Sequence, residues 1–251
     1  MSGHSKWSSI KHQKGVADAR RGKLFTKLTQ EIIVGVREGG ANPEANSRLR
    51  LAIQKAKDSS MPNENIERAI KRGSGTLGGG EMTEVVLEGY GPGGVAVLVH
   101  ALTDNHNRTV QEVRHAFSHS GGCLGEKGSV AWNFESKGLI TVPAEGTDAD
   151  DVTLKAIDAG AEDVSIEGGV IEVYTRPDEM EAVRQSLEAA GLKVDSSELS
   201  MVAKTTIGLD VPTSLSTLKL LDKLEELDDI QRVSSNADFP AEALEKYQAS
   251  A

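Results

Sequence analysis

The run Gly73-Ser74-Gly75-Thr76-Leu77-Gly78-Gly79-Gly80 divides the chain in two, because the hydrophobic period changes across it and the net charge reverses sign. Before it, apolar residues recur every three or four positions, the spacing of amphipathic helices. After it, apolar runs alternate or are continuous and are bounded by Gly and Pro, as in strands mixed with helices. A chain broken in this way folds as separate modules. Aromatic residues make up only 4% of its 251 residues. Cores must therefore be built from Val, Ile, Leu and Ala, which also favours several modest modules over one large core. Residues 1–75 hold 15 Lys and Arg against 7 Asp and Glu; the remainder holds 13 against 31, within an overall charge of -10. This asymmetry points to a polyanion-binding part joined to an acidic body.

Residues 1–22 read as a basic arm, with Lys6, Lys11, Lys14, Arg20 and Arg21 against Asp18 and only Trp7 and Ile10 as large apolar groups. Such a segment buries too little surface to order itself without a partner. Leu24, Leu28, Ile32 and Val36 then mark a helix closed by Gly39-Gly40. Pro43 is expected to open a second helix, with Leu49, Ala52, Ile53 and Ala56 inward, and Pro62 a third, with Ile66, Ala69 and Ile70 inward and Gly73 as its stop. Beyond the glycine run, Val85 and Leu87 alternate, Gly89 to Gly94 turns, and Val95 to Leu102 is a buried strand. Val110, Val113 and Phe117 define a helix ended by Gly121-Gly122, and Val130, Trp132 and Phe134 alternate as a third strand. Lys137-Gly138 turns into a second unit. Its order is a strand at Leu139 to Val142, a helix at Val152 to Ala159, a hairpin of Val164-Ile166 and Val170-Val173, a helix at Met180 to Ala190 and a strand at Lys193 to Val202. This is the β-α-β-β-α-β order of a ferredoxin-like fold. A helix through Leu215 to Leu227 and a strand at Ile230 to Val233 complete the interrupted unit. The expected architecture is a multidomain α+β protein. A basic arm and three-helix domain span 1–78, an α+β domain is split over 79–136 and 203–240, and a ferredoxin-like domain is inserted at 137–202.

Cations at intervals along a surface suit a sugar-phosphate backbone. The candidate ligands are Lys6, Trp7, Lys11, His12, Lys14, Arg20, Arg21, Lys23, Lys27, Arg48, Lys55, Arg68, Lys71 and Arg72. Arg68, Lys71 and Arg72 share one helical stripe, Arg48 and Lys55 another, and Trp7 can stack on a base. The competing reading is a solvated helical face. Asp104, Asn105, Asn107 and Arg108, between a buried strand and a helix, form a possible second site, although Asp and Asn there also serve as caps. Gly73 to Gly78 matches G-x-G-x-x-G but follows a helix, so it reads as a linker and not as a dinucleotide loop. His115 and His119 are four apart without a third ligand, and Glu225-Glu226 with Asp228-Asp229 read as solvated acids. Cys123, the one cysteine, reads as a small packed residue. No nucleophile-base pair stands out. The sequence therefore implies no enzyme, catalytic residue, metal or cofactor, and without a signal-like or spanning run a cytoplasmic location. With no apolar stripe left over, a monomer is expected.

Several of these segments also resemble the YebC family. They are Gly3-His4-Ser5-Lys6-Trp7, Arg21-Gly22-Lys23, Phe25-Thr26-Lys27-Leu28, Ala41-Asn42-Pro43, Arg48-Leu49-Arg50, Met61-Pro62, Ile66-Glu67-Arg68-Ala69-Ile70, Glu88-Gly89-Tyr90-Gly91-Pro92-Gly93-Gly94, Thr103-Asp104-Asn105, Asn107-Arg108-Thr109 and Gly128-Ser129-Val130 with Trp132 and Phe134. The resemblance extends over about residues 1–238, departing at Gln13 and Gly15. It implies one helical and two α/β domains and a DNA-binding transcriptional regulator, the role of its quinolone-signal response branch. Its mitochondrial branch, the translational activator of cytochrome c oxidase, and bacterial members linked to ribosomes and proline-rich synthesis imply the alternative, a ribosomal-RNA-binding translation factor. The expected partners are DNA or ribosomal RNA on the basic region and a protein on the acidic domains, with no membrane. Phosphates look alike to a lysine, so charge does not separate the two nucleic acids.

Overall fold

The computed structural model describes residues 18–75, 82–144, 146, 148–167 and 169–250. Three helices come first, α1 (Asp18–Gly39), α2 (Ser47–Asp58) and α3 (Asn63–Gly73). Then follow β1 (Thr83–Tyr90), β2 (Ala96–Thr103), α4 (His106–His119), β3 (Cys123–Leu124), β4 (Phe134–Pro143), α5 (Ala149–Asp158), β5 (Asp163–Glu167) and β6 (Val170–Thr175). The chain ends through α6 (Met180–Ala189), β7 (Ser196–Ala203), β8 (Ile207–Gly208), α7 (Val211–Glu225), β9 (Ile230–Ser235), β10 (Ala237–Asp238) and α8 (Ala241–Ser250). The protein is α+β.

The apolar stripes of α1, α2 and α3 meet in one core, with Leu28, Ile32, Leu49, Ala56, Ile66 and Ala69 buried. α1 begins ahead of its stripe, so Arg20 and Arg21 are helical and do not belong to the expected arm. Residues 1–17 of that arm, Thr76 to Gly80 of the glycine-rich run and Glu81 lie outside the described residues. The second helix does not open at Pro43. Pro43 sits in a turn, and Asn46 is the cap: its Oδ1 accepts from the Leu49 N–H at 3.0 Å, and its Nδ2 donates to the carbonyls of Gly35 at 2.7 Å and Gly40 at 2.8 Å. An amide bonded three ways outweighs the preset φ of a proline.

One antiparallel sheet has the order β3-β1-β2-β9 and the other β5-β6-β4-β7. The second is the strand order of a ferredoxin-like fold, with β4 at its centre. β9 follows that whole unit in sequence yet pairs with β2 in the first sheet. β2 explains its own continuous apolar run. Val97 and Val99 face Phe117, Leu218, Leu221 and Phe239, while Ala96 and Leu98 face Val130 and Phe134 on the other side. Two departures from the alternating pattern matter. Val130, Trp132 and Phe134 do not form one strand of the first sheet: residues Ala131–Asn133 make a 3-10 turn, Phe134 opens β4 in the other sheet, and β3 takes the sheet edge. Lys137-Gly138 is not a turn but lies inside β4, where Gly138 pairs with both Thr175 and Leu199. A Cβ at Gly138 would meet the Met180 side chain at 2.6 Å, so only glycine lets α6 pack this closely.

Asp210 caps α7 by accepting from the Thr213 N–H, so this helix starts before Leu215 and ends before Leu227. α8 had no apolar signature strong enough to be expected; Leu244 and partly buried Tyr247 seat it against the first core. Leu154, Ile157 and Ile166 are exposed, which removes the reason for expecting no leftover apolar surface. Among the described residues no helix is long and apolar enough to cross a membrane.

Candidate nucleic-acid interface

The structure sorts the described basic residues into two groups. The first binds the helical domain to the rest of the molecule. The Lys23 ammonium donates to the Glu226 carbonyl at 3.0 Å and Lys27 to the Glu225 carbonyl at 2.5 Å, closing the C-terminal end of α7. Those carbonyls have no partners within the helix, and cations there also meet the negative end of its dipole. Arg48 lies between the carboxylates of Glu38 and Glu84. Partial burial works against its charge, but the two carboxylates outweigh that and raise its pKa above the usual guanidinium value. Lys55 approaches Glu198 on β7 at 3.6 Å. These four candidates act as internal clamps.

The second group faces outward. Arg68, Lys71 and Arg72 are exposed on the C-terminal half of α3 and make no ion pair among the described residues. Arg50 and Lys57, absent from the expected site, are also exposed and make no ion pair within 4 Å among the described residues, although Arg50 is near enough to Glu181 to help lower that carboxyl's pKa. They stand seven residues apart on α2, two turns along one face. That spacing was available in the sequence. With Ile53, Ile66 and Ile70 they line a groove of about 370 Å³ between α2 and α3. Lys6, Trp7, Lys11, His12 and Lys14 lie outside the described residues; nothing is described of the Arg20 side chain, and Arg21 is exposed on α1.

The run at residues 104–108 is built around a residue first read as a solvated acid. Asp229 is buried, and its Oδ2 accepts from Arg108 at 2.8 Å, Thr109 at 2.7 Å and Thr103 at 3.0 Å. Burial pushes this carboxyl up, but those hydrogen bonds hold it below its ordinary range. Asn105 caps α4 by accepting from the Arg108 N–H, and the Arg108 guanidinium also reaches Asp104 at 3.0 Å. Asn107 is exposed on the first turn of α4. Lys23 and Arg72 from the helical domain and Asp104, Arg108 and Asp229 from the first α/β unit line one cleft of about 690 Å³. The two expected sites therefore meet. The cleft carries both signs of charge, Arg72 among its lining, so the positive surface beyond it is formed by Arg50, Lys57, Arg68 and Lys71 on α2 and α3.

Near the first sheet, Glu88 is buried on β1, and its carboxylate accepts from the N–H groups of Gly128 at 2.6 Å and of Val130 and Ala131 at 2.7 Å each. Burial raises its pKa less than these three donors lower it. It fixes the loop that precedes Trp132. Cys123 is exposed, not packed. His115 and His119 stack on each other with ring centroids 5.7 Å apart.

Comparison with known proteins bears on the whole chain. Residues 5–76 match the family described as TACO1/YebC protein N-terminal domain, and residues 82–237 match TACO1/YebC second and third domain. The chain is 63% identical over 251 residues, all of both chains, to a "Probable transcriptional regulatory protein" of Dehalococcoides mccartyi. It is 52% identical over 248 residues, 98% of each chain, to one of Herpetosiphon aurantiacus. The crystal structure of a conserved hypothetical protein from Aquifex aeolicus matches 92% of this chain and 96% of its own, with a TM-score of 0.84 and 50% identity.

Proposed function

The chain belongs to the TACO1/YebC family, and we propose that it is a non-enzymatic, DNA-binding regulator of transcription that grips the phosphate backbone with its helical domain. The observation that carries this reading is the exposed cation row Arg68, Lys71 and Arg72 on α3, which makes no ion pair among the described residues, in a part of the chain whose net charge is positive while the remainder is acidic. The curated relatives' shared description as transcriptional regulators supports the regulatory role. The acidic domains then act as a screen that keeps nucleic acid on one face, or as a docking surface for a protein.

One observation favours the second reading, a ribosomal-RNA-binding translation factor. Recognition helices usually meet base edges with their N-terminal residues. Here α3 begins with Asn63, Glu64, Asn65 and Glu67 and carries its cations at the other end. That polarity suits contact with a backbone and its shape more than base readout.

A salt titration tests the common premise. If about six phosphates are neutralised, affinity falls on the order of a thousandfold between about 50 and about 200 mM salt. Replacing Arg68, Lys71 and Arg72 with Ala lowers the logarithmic salt slope by up to about three. A flat response in the unaltered protein ends both readings. Sedimentation of cell lysate with and without RNase then separates them: RNase-sensitive co-migration with ribosomal particles selects translation, and enrichment on promoter fragments in excess competitor DNA selects transcription.

A further inference from the structure

Trp132 is the most exposed of the large apolar side chains among the described residues, at 68%. An indole left in water on a mobile loop would carry little meaning, but this one is fixed from both sides. Ahead of it, Glu88 holds the N–H groups of Gly128, Val130 and Ala131. Behind it, buried Asn133 accepts from the Thr205 N–H at 3.0 Å and donates to the Thr205 carbonyl at 2.9 Å, while its own carbonyl takes the Lys204 N–H at 2.7 Å. Trp132 Nε1 donates to the Ser129 carbonyl at 2.9 Å, and the exposed Tyr90 hydroxyl donates to the same oxygen, also at 2.9 Å. The polar ends of both rings are thus satisfied inside the protein, and what remains for a partner is aromatic surface. Lys127, in the loop held by Glu88 and near enough to help keep that carboxyl ionised, and Lys204, beside Asn133, are both exposed and make no ion pair within 4 Å among the described residues.

A rigid aromatic ledge with exposed lysines on the two segments that fix it suits one ligand chemistry, an unpaired base between two phosphates. Stacking needs a π-face held in place, and the neighbouring phosphates need cations on either side. We propose that Trp132, with Tyr90 beside it, is a stacking platform for an unpaired base of a nucleic-acid strand whose phosphates lie against Lys127 and Lys204. This rests on the nucleic-acid reading above and adds a second contact to it, on the first α/β unit, for single-stranded or locally opened nucleic acid.

The chain has two tryptophans, so Trp7→Phe leaves Trp132 as the sole indole reporter. The probe is a labelled oligo(dT) or oligo(U) strand of about 15 nucleotides, with inorganic polyphosphate and a blunt duplex as controls lacking free bases. The strand is expected to quench Trp132 emission, and the controls are not. Adding Trp132→Ala to the Trp7→Phe background weakens strand binding on the order of tenfold, and Trp132→Phe restores most of it. Both comparisons are made within that background, so any contribution of Trp7 cancels, and unchanged circular dichroism shows that each variant is folded. If anisotropy shows the strand bound while emission and the affinity of the Trp132→Ala variant stay unchanged, the platform is refuted and nucleic-acid binding stands. If the duplex binds and the strand does not, the platform is likewise refuted and the nucleic-acid reading stands; if neither binds, both fall.

Discussion

Asn46 shows how much one polar side chain settles in a small helical domain. It is buried, it supplies the acceptor that α2 needs at its start, and its two amide hydrogens join that start to Gly35 inside α1 and Gly40 just past its end. Removing it leaves two buried or half-buried carbonyls and one helix N–H without partners. Asn46→Ala is therefore expected to lower stability by about 2–3 kcal/mol, read as a drop in the urea midpoint. Asn46→Asp, which keeps the cap acceptor and loses both donors, should fall between. Equal losses in the two variants would show that the bridge to α1, not the cap, sets the cost. In the sequence this residue was overshadowed by Pro43, a stronger local start signal. The bonds that decide between them cross from one helix to another, and no local pattern records that. Asp229 was misread for the same reason: four acids in five residues look solvated until Thr103, Thr109 and Arg108 are seen to converge on one of them.

At the scale of elements, the helices and most strands could be read because each presents a repeating apolar face. Leu28 and Ile32 are four apart on α1, and the two-sided burial of β2 shows as an unbroken run. The turn at Trp132 could not be read, since Val130 and Phe134 are both buried and a strand-like spacing is all that the sequence displays. Nor could the docking of α1 on α7, whose contacts are about two hundred residues apart. Lys23 and Lys27 looked like phosphate ligands, and they are among the groups that hold the helical domain down. Replacing both with Ala is expected to cost about 1–2 kcal/mol, one modest charge-assisted bond each. Its signature is regional: amide exchange quickens along α1 and at the end of α7, while the sheet β5-β6-β4-β7 keeps its protection. Uniform acceleration everywhere would mean that these contacts belong to global folding and not to docking.

For the whole molecule, the separation into a basic helical part and an acidic body was visible in composition, because charge counts need no geometry. The sharing of acids and bases between the parts was not. His100 shows the consequence for pH. It lies on β2, opposite Val86 on one side and Arg232 on the other, and its Nε2 is buried without a hydrogen-bond partner among the described residues. Burial first, and then the Arg232 charge, lower its pKa, with Glu84 opposing weakly. A histidine held neutral by folding takes up a proton more readily when unfolded. Its contribution is present above the unfolded value of about 6.5 and is lost as pH falls from there through the folded value. Asp229 and Glu88, both held below their ordinary range, contribute above about 4 and lose that contribution further into acid. Stability should therefore fall in two steps on acidification. Protonation also relieves repulsion in a chain of net charge -10, which works in the opposite direction, so absolute midpoints do not isolate either step. The difference between the protein and its His100→Gln variant does. Their urea midpoints should converge as pH drops from about 7.5 to about 5.5 and then decline together below about 4. Midpoints that run parallel across the upper range would show that His100 titrates alike in the folded and unfolded chains.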